Sequence, residues 1–279
     1  MGGLAADSQL PVWLPLSLLT WAAMMAVYHG FGFVFELCDR NKWLASAKVR
    51  DADRISYAAM MPRVLANQVF VLLPAMIFVQ WTGLAFTGIE HHSPLYFVVG
   101  LLAMGIGHDI VQYITHRGIL HRPSLMKRLG HALHHSTTAS RSISACYNSA
   151  ADFFLQIVLP YLVPLVLIGG GGSDMIFQFL VVGLGAFGGL YEHSGYNFAV
   201  PLRQTRFFKA LPHAGAIADL AITTHAHGEH HRRSNVSFSD GFGSWGICDT
   251  LFATRWDKVA APDATRRRFT DGAQPALFK

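Results

Sequence analysis

Charged residues are scarce in this chain, 14% of 279 residues against 52% hydrophobic. A soluble domain carries about a quarter, so the deficit excludes an ordinary soluble protein and indicates a membrane class. Cysteine is also scarce. Cys38, Cys146 and Cys248 are too few for an iron–sulfur ligand set and odd in number for a disulfide framework, so free thiols are expected. There is no Gly-rich dinucleotide fingerprint and no HExxH string, which removes a built-in nicotinamide site and the common zinc-hydrolase arrangement. Too few basic residues alternate with aromatics to suggest nucleic acid, so the net charge of +5 is a topology and lipid-headgroup signal. Nothing positive precedes the first hydrophobic run, and no signal peptide is expected. With no internal repeat and no long polar linker, residues 1–279 read as one integral-membrane domain.

What is present is a series of apolar runs at residues 11–38, 64–86, 95–115, 151–168 and 175–192. Each approaches the ~20 residues that span ~30 Å of hydrocarbon, the last two being short. The expected fold class is all-α, a multi-pass helical bundle of four to five spans with a histidine-rich helical cap. Arg40, Lys42, Lys48, Arg50, Arg54 and Arg63 lie between the first two runs, and Arg117, Arg122, Lys127, Arg128 and Arg141 follow the third. Every other Lys or Arg lies beyond residue 200, and residues 1–10, TGIEHHS and GGGGSD contain none. Five spans with the N-terminus outside put all of this charge, and the histidine motifs, on the cytoplasmic side. An integral protein of a bacterial inner membrane or endoplasmic reticulum is expected.

Twelve of the 15 histidines lie at or after position 108. His116 and His121 occur in HRGILH. On a regular helix a separation of five turns two side chains apart, but a distorted turn before Pro123 would let them converge. HALHH supplies His131, His134 and His135, and HGEHH repeats the spacing with His227, His230 and His231. Positions i, i+3 and i+4 share a helix face, so one turn can present three imidazoles to one site. With His193 in YEHSGYN, nine candidate ligands result. One first-row metal takes about six at most, so two metals are expected. A redox pair beside a lipid-facing cavity explains ligands placed where hydrocarbon meets cytosol.

Around this set, His108 and Gln112 form a polar stripe with His116 on the third run. His108 either pairs inside the bundle or supports the site. Asp109 and Glu192 either hold the second N–H of a ligating histidine or are solvated at the interface, where Asp152 also lies. Asn197 either holds a metal-bound water or caps a helix, and His225 is either an outer partner or a surface residue. His29, His91, His92 and His213 read as packing or headgroup residues. Two other classes compete. A divalent-metal transporter needs paired ligands at mid-membrane, and a bis-histidine cytochrome needs them on facing spans. The runs offer little beyond His29 and His108.

DIVQYITHRGILH, HALHHS, HGEHH and CDTLFATR together resemble the fatty acid hydroxylase / sterol desaturase superfamily of membrane di-iron oxygenases, over about residues 105–256. Its signature is H-x(3,4)-H, H-x-x-H-H and H-x-x-H-H in this order. EHSGYNF and the stretch from LPHAGA to HGEHH are similar to the C-4 methylsterol oxidase branch, and HHSTTAS to the alkylglycerol monooxygenase and bacterial sterol-desaturase-like branches. The resemblance implies two non-haem Fe ions, O2 as cosubstrate, and hydroxylation or desaturation of a lipid or sterol C–H bond. It also implies electrons from NAD(P)H through a separate reductase and a cytochrome b5- or ferredoxin-like carrier. The first motif has the x4 spacing, and NVS and FAT stand where the family has NYG and FGT. These departures retain every ligand and leave the branch, and so the substrate, open.

Overall fold

The computed structural model describes residues 15–87, 91–169, 174–241 and 244–260. The head, the tip of the loop at 88–90, most of the glycine linker and the tail beyond 260 lie outside the described residues. Five helices are long and apolar enough to cross a membrane: α1 Leu16–Asn41, α2 Tyr57–Trp81, α3 Pro94–Leu120, α4 Ala150–Leu167 and α5 Met175–His193. The described residues contain no strand, and the chain is an all-α multi-pass membrane bundle. Even α4, the shortest at 18 residues, reaches about 27 Å at 1.5 Å per residue.

Local sequence sets the helix starts. Ser56, Ser93, Ser149 and Asp174 each accept a hydrogen bond from the first turn of the helix that follows. The second span begins earlier than its apolar run, because Ser56 caps it and Arg63 is carried within the helix, its guanidinium over the Tyr147 ring. α1 packs along α5, and α3 along α4. On α3, Leu95, Val98, Leu102, Ile106, Ile110 and Ile114 recur at helical spacing and face outward, as a surface solvated by lipid requires. The opposite face fits closely: a Cβ at Gly107 would overlap Pro164 of α4.

Three spans contain one widened turn with i→i+5 pairing: Gln68–Leu72 in α2, His116–Leu120 in α3 and Phe154–Val158 in α4. The N–H groups that close them belong to Leu73, His121 and Leu159. Pro74, Pro123 and Pro160 follow within two residues. Proline has no N–H and collides with the carbonyl four residues back, and widening the preceding turn relieves both. The three wide turns pack toward one another inside the bundle, that of α4 touching the other two.

Beyond the spans, short helices form a cap. Residues 199–222 form three of them, followed by α6 His225–Arg233 and α7 Ile247–Leu251. Asp109 of α3 anchors α7 by accepting from the N–H groups of Ile247 and Cys248 and from the Ser244 hydroxyl, each at 2.9 Å.

Candidate metal centre

The widened end of α3 resolves the five-residue spacing of its histidines. His121 N–H donates to the His116 carbonyl at 2.9 Å, one residue further than in an α-helix, so residues five apart share a face. The two Nε2 atoms lie 3.2 Å apart. A regular helix would have separated them.

All nine candidate histidines converge, in two groups. One contains His116, His121, His131, His135 and His230; the other contains His134, His193, His227 and His231. Within each group the nitrogens lie within 4.8 Å of one another. The expectation that each H-x-x-H-H turn serves a single site is corrected. His131 and His135, at i and i+4, join the five-membered group while His134 turns to the other; in α6, His227 and His231 join the four-membered group while His230 crosses over. Residues i and i+4 lie closest to one line along a helix, and i+3 falls to the other side of it. Each turn therefore straddles both groups.

Hydrogen bonds settle the tautomers. The Nδ1–H groups of His116, His230 and His231 donate to the carbonyls of Phe238, Val236 and Thr137 at 2.7, 2.7 and 3.0 Å. His131 Nδ1–H donates to the Asp152 carboxylate at 2.9 Å. Carbonyl oxygens carry no proton, so His116, His230 and His231 each hold theirs on Nδ1, and in the neutral ring Nε2 bears the lone pair. His116 and His131 Nε2 face each other at 3.2 Å. Burial, reinforced by neighbouring imidazoles, holds His134, His135, His227 and His231 below the ordinary imidazole range and places His121 at about 2. Neutral rings with convergent lone pairs repel unless a cation lies between them. His134 Nδ1 and Nε2 and His231 Nε2 are buried without a hydrogen-bond partner. Two imidazole nitrogens about 2.1 Å from a shared metal lie about 3.0–3.4 Å apart, and the contacts in the five-membered group run from 3.0 to 3.2 Å. The donor set fits a pair of imidazole-liganded transition metals.

The family model for fatty acid hydroxylase matches residues 101–254, more than half of the chain and every residue of both groups. The chain belongs to the fatty acid hydroxylase family. No curated protein and no solved structure matches it. Membership makes the protein a membrane oxidoreductase of the hydroxylase and desaturase type.

In this member of the family the supporting residues differ in part from those expected. The carboxylate on a histidine Nδ1 is Asp152, whose second oxygen accepts from Asn148 Nδ2 at 2.9 Å. Asp109 instead holds α7. Glu192 lies 3.9 Å from His227 Nδ1. Asn197 closes a turn, its side chain accepting from Ala199 N–H and donating to Thr223. His225 is exposed and packs on Trp256, with ring centroids 4.5 Å apart. His108 lines the cavity described below.

Sequence reasoning missed Lys48 and Arg50, which it counted only as topological charge. Arg50 donates to the carbonyls of Ala139, Glu192 and Thr224, so one guanidinium ties together the three segments that carry the second motif, His193 and α6. Lys48 donates to the carbonyls of Ser140 and Ser194. The backbone approaches closely here: at Gly195, with φ +75°, a Cβ would run into the Arg50 carbonyl.

A cavity of ≈ 490 Å³ runs inside the bundle and reaches the groups at His116, His193 and His227. Met24, Leu72, Met76, Leu101, Met104 and Phe153 contribute apolar lining. At its cap end lies Asp240, whose carboxyl burial pushes up to about 6.

Proposed function

We propose that the two histidine groups hold a pair of non-haem irons, and that the protein uses O2 and externally supplied electrons to oxidise an unactivated C–H bond of a lipid. The observation that carries this reading is the convergence of nine histidine nitrogens, in two adjoining groups, on an apolar cavity between membrane-spanning helices. His116, His121, His131, His135 and His230 would ligate one ion, and His134, His193, His227 and His231 the other.

Bound iron supplies the activation of O2 that attack on such a C–H bond requires. The remaining tasks fall to the chain. The apolar lining orients a hydrocarbon chain and keeps water from the reacting region. Phe238, Val236 and Thr137 carbonyls and the Asp152 carboxylate retain the Nδ1 protons, which fixes ring orientation and keeps Nε2 available. The second group offers four nitrogens, and an ion held there would be reached from the cavity past His193 and His227, which line it. Electrons would come from NAD(P)H through a separate reductase and a cytochrome b5- or ferredoxin-like carrier. The distribution of Lys and Arg favours delivery from the cytosol.

Two measurements test the reading. Metal analysis of the purified protein is expected to find about two irons per chain, which is the sum of one per group. Mass spectrometry of total lipids, from cells with and without the chain, is expected to show a lipid that gains one oxygen or loses two hydrogens. A zinc-loaded protein, or an unchanged lipid profile when reductase and carrier are supplied, overturns it.

A further inference from the structure

Whatever its product, the proposed oxidation takes up protons. Hydroxylation converts R–H, O2, two electrons and two protons into R–OH and one water; desaturation consumes the same electrons and protons and yields an alkene and two waters. The electrons come from the external carrier, so the protons must come from water. Apolar side chains of the bundle cavity supply none, and backbone carbonyls hold the Nδ1 protons of His116, His230 and His231 in place.

A second cavity, of ≈ 410 Å³, lies in the cap. Its wall includes Arg203 and His225, both exposed, so it opens to water. Asp240 and Gly241 border this cavity and the bundle cavity alike, which places the Asp240 carboxyl where the two meet. The histidine groups are close by along the chain and across it. Two residues before Asp240, the Phe238 carbonyl holds His116 Nδ1, and the carboxylate of Glu192 packs on Gly241, where a Cβ would overlap it.

The acids of this region are used differently. Asp249 accepts from the N–H groups of Phe238, Ser239 and Asp240, and Asp109 from those of Ile247 and Cys248. Among the described residues, the Asp240 carboxylate is met only by the Ser237 hydroxyl, at 3.5 Å. Neighbouring charge does not neutralise it. Arg255 is paired with Asp257 and Arg203 with Asp219, His225 of α6 is exposed, and Asp249 of α7, Asp109 of α3 and Glu192 of α5 add negative charge nearby. Burial, against the pull of Arg255 and with the help of Asp249, Asp257 and Asp109, raises the Asp240 carboxyl to about 6. A proton carrier works best when its affinity lies near the working pH, where it both loads and releases.

Building on the proposed lipid oxidation, we infer that Asp240 relays protons from water in the cap cavity to the bundle cavity. Its carboxylate oxygen takes a proton on the cap side, gives it up on the bundle side and returns to the carboxylate form. Two such cycles supply one turnover.

Two measurements on the full-length, iron-loaded protein test the relay. In resting protein in lipid nanodiscs, the infrared difference between wild type and Asp240→Asn is expected to show a carboxylic acid C=O band that titrates with a midpoint near pH 6 and shifts promptly in D2O. No such band at acid pH, or a band that resists exchange, overturns the inference. In isolated membranes given reductase, carrier and NAD(P)H, with lipid mass spectrometry as readout, wild-type turnover is expected to fall as pH rises through about 6. Asp240→Asn is expected to lose about 100-fold together with that pH dependence, Asp240→Glu to keep most of the rate, and formic acid, which fits the cap cavity, to restore Asp240→Ala. A wild-type rate and pH profile in Asp240→Asn overturns the relay. So does a loss that neither Asp240→Glu nor formic acid relieves, which marks a structural role. Iron per chain and Tm are measured for every variant. Wild type without iron and without an oxidised lipid defeats the proposed function and the relay with it, whereas iron and an oxidised lipid with an unimpaired Asp240→Asn defeat only the relay.

Discussion

The two histidine groups are built from the same motif and are held differently. In the five-membered group three rings are fixed through Nδ1 by acceptors at 2.7–2.9 Å: Phe238 and Val236 carbonyls and the Asp152 carboxylate. In the four-membered group, His231 meets the Thr137 carbonyl at 3.0 Å, His193 meets the Ser144 hydroxyl at 3.1 Å, and Glu192 lies 3.9 Å from His227. His134 has no hydrogen-bond partner at either nitrogen. One site is richer in ligands and tightly braced; the other is poorer in ligands and borders the cavity with two of its four rings. On the proposed two-metal reading, the asymmetry would suit a division in which one metal is anchored and the other keeps positions open for reactants.

Removing one ligand from each group gives the largest expected contrast. His134→Ala leaves three nitrogens in the smaller group and is expected to lose that group's metal and all detectable turnover. His121→Ala leaves four in the larger group and is expected to retain metal, with turnover reduced about tenfold. Iron per chain and product yield report both, and equal metal loss would break the comparison. The braces come next. Asp152→Asn, which exchanges a carboxylate for an amide at His131, is expected to weaken metal affinity or activity by about 10–100-fold, and Ser144→Ala by less than about tenfold.

A smaller effect is expected where the groups share support. Arg50→Ala removes donors from the Ala139, Glu192 and Thr224 carbonyls. It is expected to destabilise the protein by about 2–4 kcal/mol, read as a lowered Tm with both groups losing metal together. Loss from one group alone would show that Arg50 braces only that group. The smallest effect belongs to His225→Ala. Its ring is exposed against Trp256, so stability within about 0.5 kcal/mol of wild type and unchanged iron content are expected.

The legible part of this protein lay in local pattern. Apolar runs located five spans within a few residues except at the start of the second, where Arg63 looked like loop and proved to be helix. H-x-x-H-H spacing marked six of the nine convergent histidines, and His193 was found by its place at the end of α5. The wide turn that aligns His116 with His121 had a readable sign in Pro123, as the matching turns before Pro74 and Pro160 indicate. Arg50 had no such sign. Its partners lie 89 to 174 residues away, and nothing in its own neighbourhood distinguishes a clamp from a topological charge.

Asp109 and Asp152 show where local reading stops. Both are acids at the histidine-bearing ends of spans, and both are fully buried. Only packing decided that Asp152 meets His131 while Asp109 receives α7. The sequence by itself determined the membrane body, a count of four to five spans and an inventory of imidazoles too large for one metal, because composition and short-range spacing suffice for those. The tertiary structure decided which ring joins which group, which acceptor holds each Nδ1 proton and which side chains line the cavity. Those outcomes depend on contacts between segments distant in sequence, whose partners are chosen by helix packing.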